Sequence, residues 1–210
     1  MPPSYNRRTA TKVKDGRVQR KNRHVPTGTL GLVVDRESPG RGFRHVLSKK
    51  DLLEFIDLIP NWPRLSERLE RITLSSCHGD WYGLHEFYHR EETGGIFLHA
   101  WDEELWMSVD PVFYSDHKEI LAAFGVSITI NKKDGDIQGD VICRFTESQA
   151  KAFMLLHVFL HELGHHFYRI QQKHHGAGSG EDYAENFANS RFQQIFPEYK
   201  RVFGDPAMEA

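Results

Sequence analysis

The sequence predicts a single domain of the α+β class. The chain has 210 residues, of which 39% are hydrophobic and 12% aromatic, so it can bury a sizeable core. Between residues 72 and 145, short β-branched runs are separated by turn residues, a pattern typical of strands. Two segments with the apolar periodicity of helices, at 150–171 and 181–195, follow toward the C-terminus. Both helices and strands are therefore expected in this domain.

The first elements follow a basic N-terminal arm. The apolar, β-branched run Thr29–Asp35 predicts a strand. Ser48 is a typical helix-capping residue, so a helix is expected over Lys49–Ile59, where apolar side chains form one face. Arginine and glutamate residues then predict a second, solvent-exposed helix over Arg64–Arg71.

The middle of the chain is expected to consist mainly of strands. The four candidates are Ile72–Ser76, Trp81–Tyr88, Gly95–His99 and Leu105–Val109. The last two are predicted to form a hairpin. Asp116 is then expected to cap a short helix over His117–Phe124. A second hairpin is predicted from Val126–Asn131 and Asp136–Phe145, because the Lys-Lys-Asp-Gly sequence between them is a good turn.

Charge is distributed unevenly along the chain. The net charge is −2, yet residues 1–24 carry eight Lys/Arg residues and one acid. The remaining residues therefore carry 19 basic and 28 acidic side chains, a formal charge of −9. Residues 1–26 are expected to form a disordered arm, which is either a solvated tail or a tether for nucleic acid or another acidic partner. The domain itself is expected over residues 27–203, with an irregular tail over 204–210.

Composition favours a cytoplasmic protein without a membrane anchor. No apolar stretch approaches the length of a membrane span, and the N-terminus lacks the apolar region of a signal peptide. Cys77 and Cys143 lie far apart and outside any C-x-x-C spacing, which favours free thiols in a reducing compartment. The sequence gives no indication of the oligomeric state.

The segment Ala150–Gln171 carries the strongest chemical signal. It is predicted to form one long helix, preceded by polar capping residues, and it contains the sequence H-E-L-G-H. Residues four apart lie on the same face of a helix, so His161 and His165 would project side by side. Two imidazoles at this spacing can bind one zinc ion, and Glu162 can reach a zinc-bound water without acting as a ligand. Zinc lowers the pKa of that water to about 7, and the glutamate accepts its proton.

A chance occurrence of the motif is the alternative, since the chain contains 13 histidines. Polar groups inside an apolar helix would, however, be costly to bury unless something satisfied them, and metal coordination does so directly. The motif is therefore interpreted as a site for one zinc ion.

A catalytic zinc site needs a third protein ligand. The metzincin pattern would require glycine and histidine where this chain has Tyr168 and Gln171, so that class is excluded. The last predicted helix, which is expected to end near Pro197, opens with E-D-Y-A-E-N-F-A, and Glu181 and Glu185 lie on one face of it. Its small residues would allow a close approach to the first helix. Glu181 is predicted to bind zinc, and Glu185 to accept the second ring N–H of a zinc histidine.

These two helices together resemble those of the gluzincin metallopeptidases. The similarity is greatest to minimal members such as the ImmA/IrrE family and small relatives of the Ste24-type peptidases. It covers about Leu156–Phe192 and departs from the family pattern at Glu185, where aspartate is usual. The resemblance implies a zincin-like fold, with a twisted mixed sheet, a backing helix, an active-site helix and a C-terminal glutamate helix. In zinc peptidases a strand beside the active-site helix often binds substrate backbone, so the hairpin of Gly95–His99 and Leu105–Val109 either lines a cleft or belongs to the core.

A second resemblance suggests a different third ligand. The sequence His174-His175-Gly176 is similar to the ligand segment of SprT-like proteases, which act on proteins attached to DNA, and the basic arm would suit that role. His175 would then bind zinc instead of Glu181. The ten residues from His165 to His175 are few for that family, so Glu181 is preferred.

Three other histidines are not expected to bind metal. His157 lies one turn before His161 on the same helix face and is expected to be a core residue. His85 and His89 are interpreted as surface residues, because their segment lacks the apolar face of a helix.

The sequence thus predicts a zinc metallopeptidase, an endopeptidase of gluzincin type that hydrolyses a protein or peptide substrate. Its zinc ligands would be His161, His165 and Glu181, and Glu162 would be the general base. Two alternatives remain open: a non-catalytic metal-binding or regulatory domain on the same scaffold, and a DNA-associated protease.

Overall fold

The computed structural model describes residues 13–14, 17–18, 31–76, 82–131, 140–171 and 180–208. Its helices are α1 (Lys49–Ile56), α2 (Trp62–Leu65), α3 (Pro111–Ala123), α4 (Glu147–Phe153), α5 (Leu160–Gln171) and α6 (Gly180–Phe203), with a π-helical segment (Met154–Phe159) between α4 and α5. Its strands are β1 (Val13–Lys14), β2 (Arg17–Val18), β3 (Val33–Arg36), β4 (Phe43–Arg44), β5 (Leu69–Ser75), β6 (Gly83–Tyr88), β7 (Thr93–His99), β8 (Trp101–Asp102), β9 (Trp106–Val109), β10 (Ser127–Asn131) and β11 (Asp140–Arg144). This mixture confirms the α+β class.

Two larger sheets contain most of the described strands. The first has the order β3-β5-β7-β6, in which β3, β5 and β7 are parallel and β6 runs antiparallel to β7. In the second, β9 and β10 both pair antiparallel with β11. The short pairs β1–β2 and β4–β8 are also antiparallel. β7 is buried along most of its length whereas β6 alternates in exposure, as expected for a central strand and an edge strand.

The central helix is continuous from α4 through the π-helical segment to α5. Thr146 caps its start, because Thr146 Oγ1 accepts the N–H of Gln149 at 3.3 Å and Gln149 Oε1 accepts the N–H of Thr146 at 2.9 Å. All six residues of the π-helical segment are buried. From this segment, Phe159 contacts Phe55 of α1 and Trp62 of α2, with ring centroids 6.1 and 6.2 Å apart. The first helical residue is Glu147, which is three residues before Ala150, the predicted start.

The predicted helix over Arg64–Arg71 is wrong. α2 is a single turn, and β5 begins at Leu69 and pairs in parallel with β7. Glu70 is buried in this sheet, where its Oε2 accepts a hydrogen bond of 2.9 Å from Thr93 Oγ1. Charged pairs at helical spacing contribute only about 0.2–0.5 kcal/mol each, so sheet pairing and burial outweigh them here.

The predicted hairpin between Gly95–His99 and Leu105–Val109 is also wrong. β7 pairs with β5 and β6, whereas β9 pairs with β11 in the other sheet. The strand that lies at the edge of the first sheet and against α5 is β6. Any cleft beside the H-E-L-G-H helix is therefore bordered by β6.

The start of α3 differs from the prediction. Asp110 caps the helix, and its carboxylate accepts the N–H groups of Val112 and Phe113 at 2.8 and 2.9 Å. Asp116, the predicted cap, lies inside the helix. Proline at the first helical position suits this earlier start, since it has no N–H to leave unpaired.

The last helix extends further than predicted. α6 continues through Pro197 to Phe203. Beyond the proline, Tyr199 is buried and stacks on Phe203 with ring centroids 4.8 Å apart. This packing compensates for the backbone hydrogen bond that proline cannot make.

The second predicted hairpin is confirmed, because β10 and β11 pair from Ser127 opposite Arg144 to Asn131 opposite Asp140. Its Lys-Lys-Asp-Gly turn, Cys77 and the glycine-rich segment before α6 lie outside the described residues. Cys143 is buried and forms no disulfide with any described residue. Among the helices that the structure describes, none has the length and apolar character needed to cross a membrane.

Asp51 connects the start of α1 to α4. Its carboxylate accepts hydrogen bonds from the Ser48 N–H at 2.7 Å, the Ser48 hydroxyl at 2.6 Å and Lys151 Nζ at 3.0 Å. Burial alone would raise the pKa of Asp51. The hydrogen bonds from Ser48 and the charge of Lys151 outweigh burial, so the pKa lies below its ordinary value of 3.8.

Replacing Asp51 with asparagine is expected to lower the free energy of unfolding by about 1 kcal/mol near neutral pH. Because the folded-state pKa is lowered, the carboxylate stabilises the fold above pH 3.8, and this contribution is lost as the pH falls through the folded-state pKa. Urea denaturation of both proteins at pH 7 and at successively lower pH measures the difference. Asp57→Asn, which changes an exposed acid of the same segment, is the control and should have a much smaller effect. A difference that stays constant down to the lowest pH would contradict this role of the carboxylate.

Candidate metal centre

His161 and His165 lie one turn apart on α5 and converge on one point. Their Nε2 atoms are 3.0 Å apart, and their rings meet edge to face with centroids 4.7 Å apart. The i, i+4 spacing on a helix produces this convergence. Two ring nitrogens at this distance are placed to share one cation.

Glu181, in the first turn of α6, adds a third donor to this pair. Its Oε2 lies 3.3 Å from His161 Nε2, and its Oε1 lies 3.4 Å from His165 Nε2. The Glu181 side chain is 82% exposed, so the group of three is open to solvent on the α6 side. The structure therefore brings together the three residues that the sequence predicted as zinc ligands.

The spacing of these donors fits a tetrahedral zinc site. With zinc–ligand bonds of about 2.0–2.1 Å, neighbouring ligands in a tetrahedron lie about 3.3–3.4 Å apart. The measured separations are 3.0, 3.3 and 3.4 Å. Two histidines and a glutamate are also a common ligand set of catalytic zinc, which leaves the fourth position open. The residues present therefore fit the ion.

Glu185 orients His161 through Nδ1, the ring nitrogen that does not face His165 and Glu181. Its Oε2 lies 3.3 Å from His161 Nδ1, and its Oε1 accepts a hydrogen bond of 3.0 Å from Asn189 Nδ2. A carboxylate can only accept, so the proton of the neutral ring is on Nδ1 and the lone pair of Nε2 faces His165 and Glu181. This is the arrangement in which an outer carboxylate fixes the tautomer of a metal-binding histidine.

The surrounding carboxylates favour positive charge at the site. Burial lowers the pKa of His161, but Glu185, Glu162 and Glu181 outweigh burial and raise it. Burial and the charge of His161 together lower the pKa of His165, against the opposing effect of Glu181. Glu185, Glu162 and Glu181 therefore favour positive charge beside His161.

Glu162 lies between α5 and the edge strand β6. It is only 8% exposed, and it accepts a hydrogen bond from the backbone N–H of His85. A Cβ at Gly83 would lie 2.7 Å from Glu162 Oε1 and 2.6 Å from Val158 Cγ1, so only glycine leaves room for this carboxylate. Burial raises the pKa of Glu162 to about 7, with a further upward contribution from Glu181 and opposing ones from His161 and the His85 N–H.

His85 is not a surface residue, so that interpretation is wrong. Its Nε2 lies 3.2 Å from Nδ1 of His166, and the Nε2–H of His166 donates to the carbonyl of Glu67 at 2.9 Å. A Cβ at Gly94 would lie 2.5 Å from His166 Nδ1, so this glycine makes space for the buried ring. The alternation of β6 places His85 on the face toward α5, a signal that the sequence contained. His89 is exposed as predicted.

Comparison with known proteins identifies no relative of this chain: no protein-family model matches it, and no curated protein or solved structure does. The resemblance to gluzincins stays a prediction from two sequence motifs. His175, the alternative third ligand, lies outside the described residues.

α5 and α6 cross at Gly164, directly between the two metal-type histidines. A Cβ at this position would lie 2.9 Å from the Cα of Ala184 and 3.2 Å from the Cβ of Phe187. Ala184 and Ala188 are fully buried along the same contact. The crossing sets the distance from α5 to Glu181, which is three residues before Ala184 on α6.

Gly164→Ala is expected to force the two helices apart and to lower the free energy of unfolding by about 1–3 kcal/mol, because the new methyl group meets backbone atoms. Zinc affinity should fall as well, since Glu181 moves with α6. Urea denaturation of the metal-free protein and zinc titration measure the two effects. Gly31→Ala, at an exposed glycine with open space around its Cβ, is the matched control. Unchanged stability and unchanged affinity in Gly164→Ala would contradict the close crossing.

Proposed function

We propose that this chain is a zinc-dependent peptidase of the gluzincin type. The observation that carries the proposal is the convergence of His161, His165 and Glu181, whose donor atoms lie 3.0–3.4 Å apart. Zinc, when bound there, supplies an electrophile for a carbonyl oxygen and acidifies a water molecule. The mixed sheet and the succession of α5 and α6 support the assignment of a zincin-like fold.

Glu162 is the proposed general base and acid of the reaction. Its carboxylate accepts the proton of the attacking water as the new carbon–oxygen bond forms. It then delivers this proton to the leaving nitrogen as the carbon–nitrogen bond of the peptide breaks. The His85 N–H binds the carboxylate, and the lack of a side chain at Gly83 leaves room for it, so it is positioned for both transfers.

The edge strand β6 is the proposed docking strand for the substrate. Among the described strands it pairs on one side only, with β7. An extended peptide can add to the free edge through backbone hydrogen bonds, and it would then run alongside α5. This favours an endopeptidase that acts on extended segments of a protein or peptide.

The experiment compares cleavage by zinc-loaded, chelator-treated and zinc-restored protein. Each is incubated with a denatured protein mixture and a peptide library, and new chain termini are identified by mass spectrometry. Internal cleavages should appear with the zinc-loaded protein, disappear after chelation and return with zinc. Tight zinc binding without any cleavage would instead support the non-catalytic alternative and contradict the proposed activity.

A further inference from the structure

A second group of metal-type donors lies on the other side of Glu185. It consists of His117 from α3, His157 from the π-helical segment and Glu185 from α6. One potential ligand atom from each residue lies within 4.8 Å of the others, and His117 Nε2 is 3.6 Å from Glu185 Oε1. Three separate elements of the fold therefore converge on one point. The sequence did not indicate His117 as a metal ligand, because this histidine belongs to no recognisable motif.

His117 is held in the orientation of a metal-binding histidine. Its Nδ1–H donates to the carbonyl of Phe113 at 2.7 Å, and its ring stacks on the Phe113 ring with centroids 3.9 Å apart. A backbone carbonyl that holds one ring nitrogen leaves the other to coordinate an ion. The free nitrogen, Nε2, is the one that faces Glu185.

His157 is the part of the group that an ordinary ion pair does not explain. A protonated His117 beside Glu185 would satisfy those two residues. His157 is only 6% exposed, and its Nδ1 has no hydrogen-bond partner among the described residues. A buried ring nitrogen without a partner is costly, whereas a neutral imidazole in this position can bind a cation.

The backbone at His157 is unusual in the same place. His157 lies in the π-helical segment, whose extra residue per turn changes the directions of the side chains on this helix. Such segments inside α-helices occur frequently at functional sites. The irregular backbone and the unpartnered nitrogen are separate observations, and both concern the same residue.

We propose that His117, His157 and Glu185 form a second site for zinc or a similar divalent transition metal. Two imidazoles and a carboxylate are ligands that suit zinc, with neighbouring donors about 3.3–3.4 Å apart in a tetrahedral site. The ion would therefore draw the donors, now up to 4.8 Å apart, closer together. Glu185 would join the two sites, since its Oε2 faces His161 while its Oε1 faces His117 and Asn189. This inference does not require the first site to be catalytic.

The test is the number of zinc ions bound by the full-length, chelator-stripped protein after titration with zinc and removal of free metal. The wild type is compared with Glu181→Ala, His157→Leu and the double variant, and His89→Ala controls for loss of an exposed histidine. Two ions are expected in the wild type and in His89→Ala, one in each single variant and none in the double variant.

The wild type and the three metal-site variants together distinguish the two proposals. One ion in the wild type, lost in Glu181→Ala and kept in His157→Leu, would overturn the second site and leave the first. One ion in the wild type that is lost only in His157→Leu would overturn the first site and leave the second. No bound ion would overturn both, and two ions in His157→Leu would also overturn the second site.

Two further measurements keep the inference testable if His157→Leu fails to fold, as judged by circular dichroism. His117→Gln removes a ligand from a less buried position and should also bind one ion fewer. If that variant fails too, anomalous scattering at the zinc edge from zinc-soaked crystals of the wild type should give a peak between His117, His157 and Glu185. No peak there would overturn the second site.

Discussion

Replacing Glu162 with glutamine is expected to abolish peptide hydrolysis and to leave zinc bound. Glutamine has the same size, so it can occupy the space beside Gly83, but it cannot accept the proton of the attacking water. General acid–base catalysis contributes about 10²–10⁴-fold, so kcat should fall by at least this factor. Glu162 is not among the three converging donors, so the affinity for zinc should change little.

The measurement is the rate of cleavage of a peptide found in the library experiment, together with the zinc content of the same samples. Glu119→Gln, the same substitution at an exposed position of α3, is the control and should retain full activity. Equal rates for Glu162→Gln and the wild type would exclude Glu162 as the general base. Loss of both activity and zinc would indicate that the substitution disturbs the site itself.

Glu181→Ala is expected to prevent tight binding of the zinc ion that we propose for His161 and His165. Mutating a residue that only hydrogen-bonds to a metal ligand typically weakens metal binding by about 10–100-fold. Removing one of three direct ligands should therefore weaken zinc binding by more than about 100-fold. Competition against a coloured zinc chelator measures this affinity. Asp182→Ala changes the adjacent exposed acid and should bind zinc like the wild type.

The variant His175→Ala, measured together with Glu181→Ala, distinguishes the two candidates for the third ligand, Glu181 and His175. If Glu181 is the third ligand, His175→Ala should keep the affinity of the wild type. Loss of the ion in His175→Ala, with normal binding in Glu181→Ala, would reverse the assignment. The resemblance to SprT-like proteases would then be the better one.

Local signals in the sequence predicted the α+β class and the residues that converge at the candidate site. The H-E-L-G-H motif lies within one helix, so its geometry depends on helix periodicity alone. Glu181 required a second element, yet its position at a helix start, followed by small residues, indicated the contact. Gly164 against Ala184 is the contact that brings this helix close.

Apart from the ends of α3 and α6, the errors concern contacts between different segments of the chain. Residues 69–71 have charges at helical spacing but join a sheet, because β7 supplies a partner that the local pattern does not reveal. The strands β7 and β9 are close in sequence, yet β7 pairs with β5 and β6 in one sheet, whereas β9 pairs with β11 in the other. For His85, strand alternation indicated which side chains share a face, but its partner His166 is 81 residues away and was not evident. Pairing of this kind follows from the whole fold and not from a window of residues.

The π-helical segment Met154–Phe159 determines the rotational phase between the two ends of the central helix. At one end, Lys151 is tied to Asp51 of α1, and at the other, His161 and His165 face α6. Each α-helical residue turns the chain by about 100°, so one residue fewer in this segment would rotate the histidines by about that angle relative to Lys151. They would then point away from Glu181 although every donor was still present. The direction of the candidate ligands thus depends on the number of residues in a turn that contributes no ligand to that group.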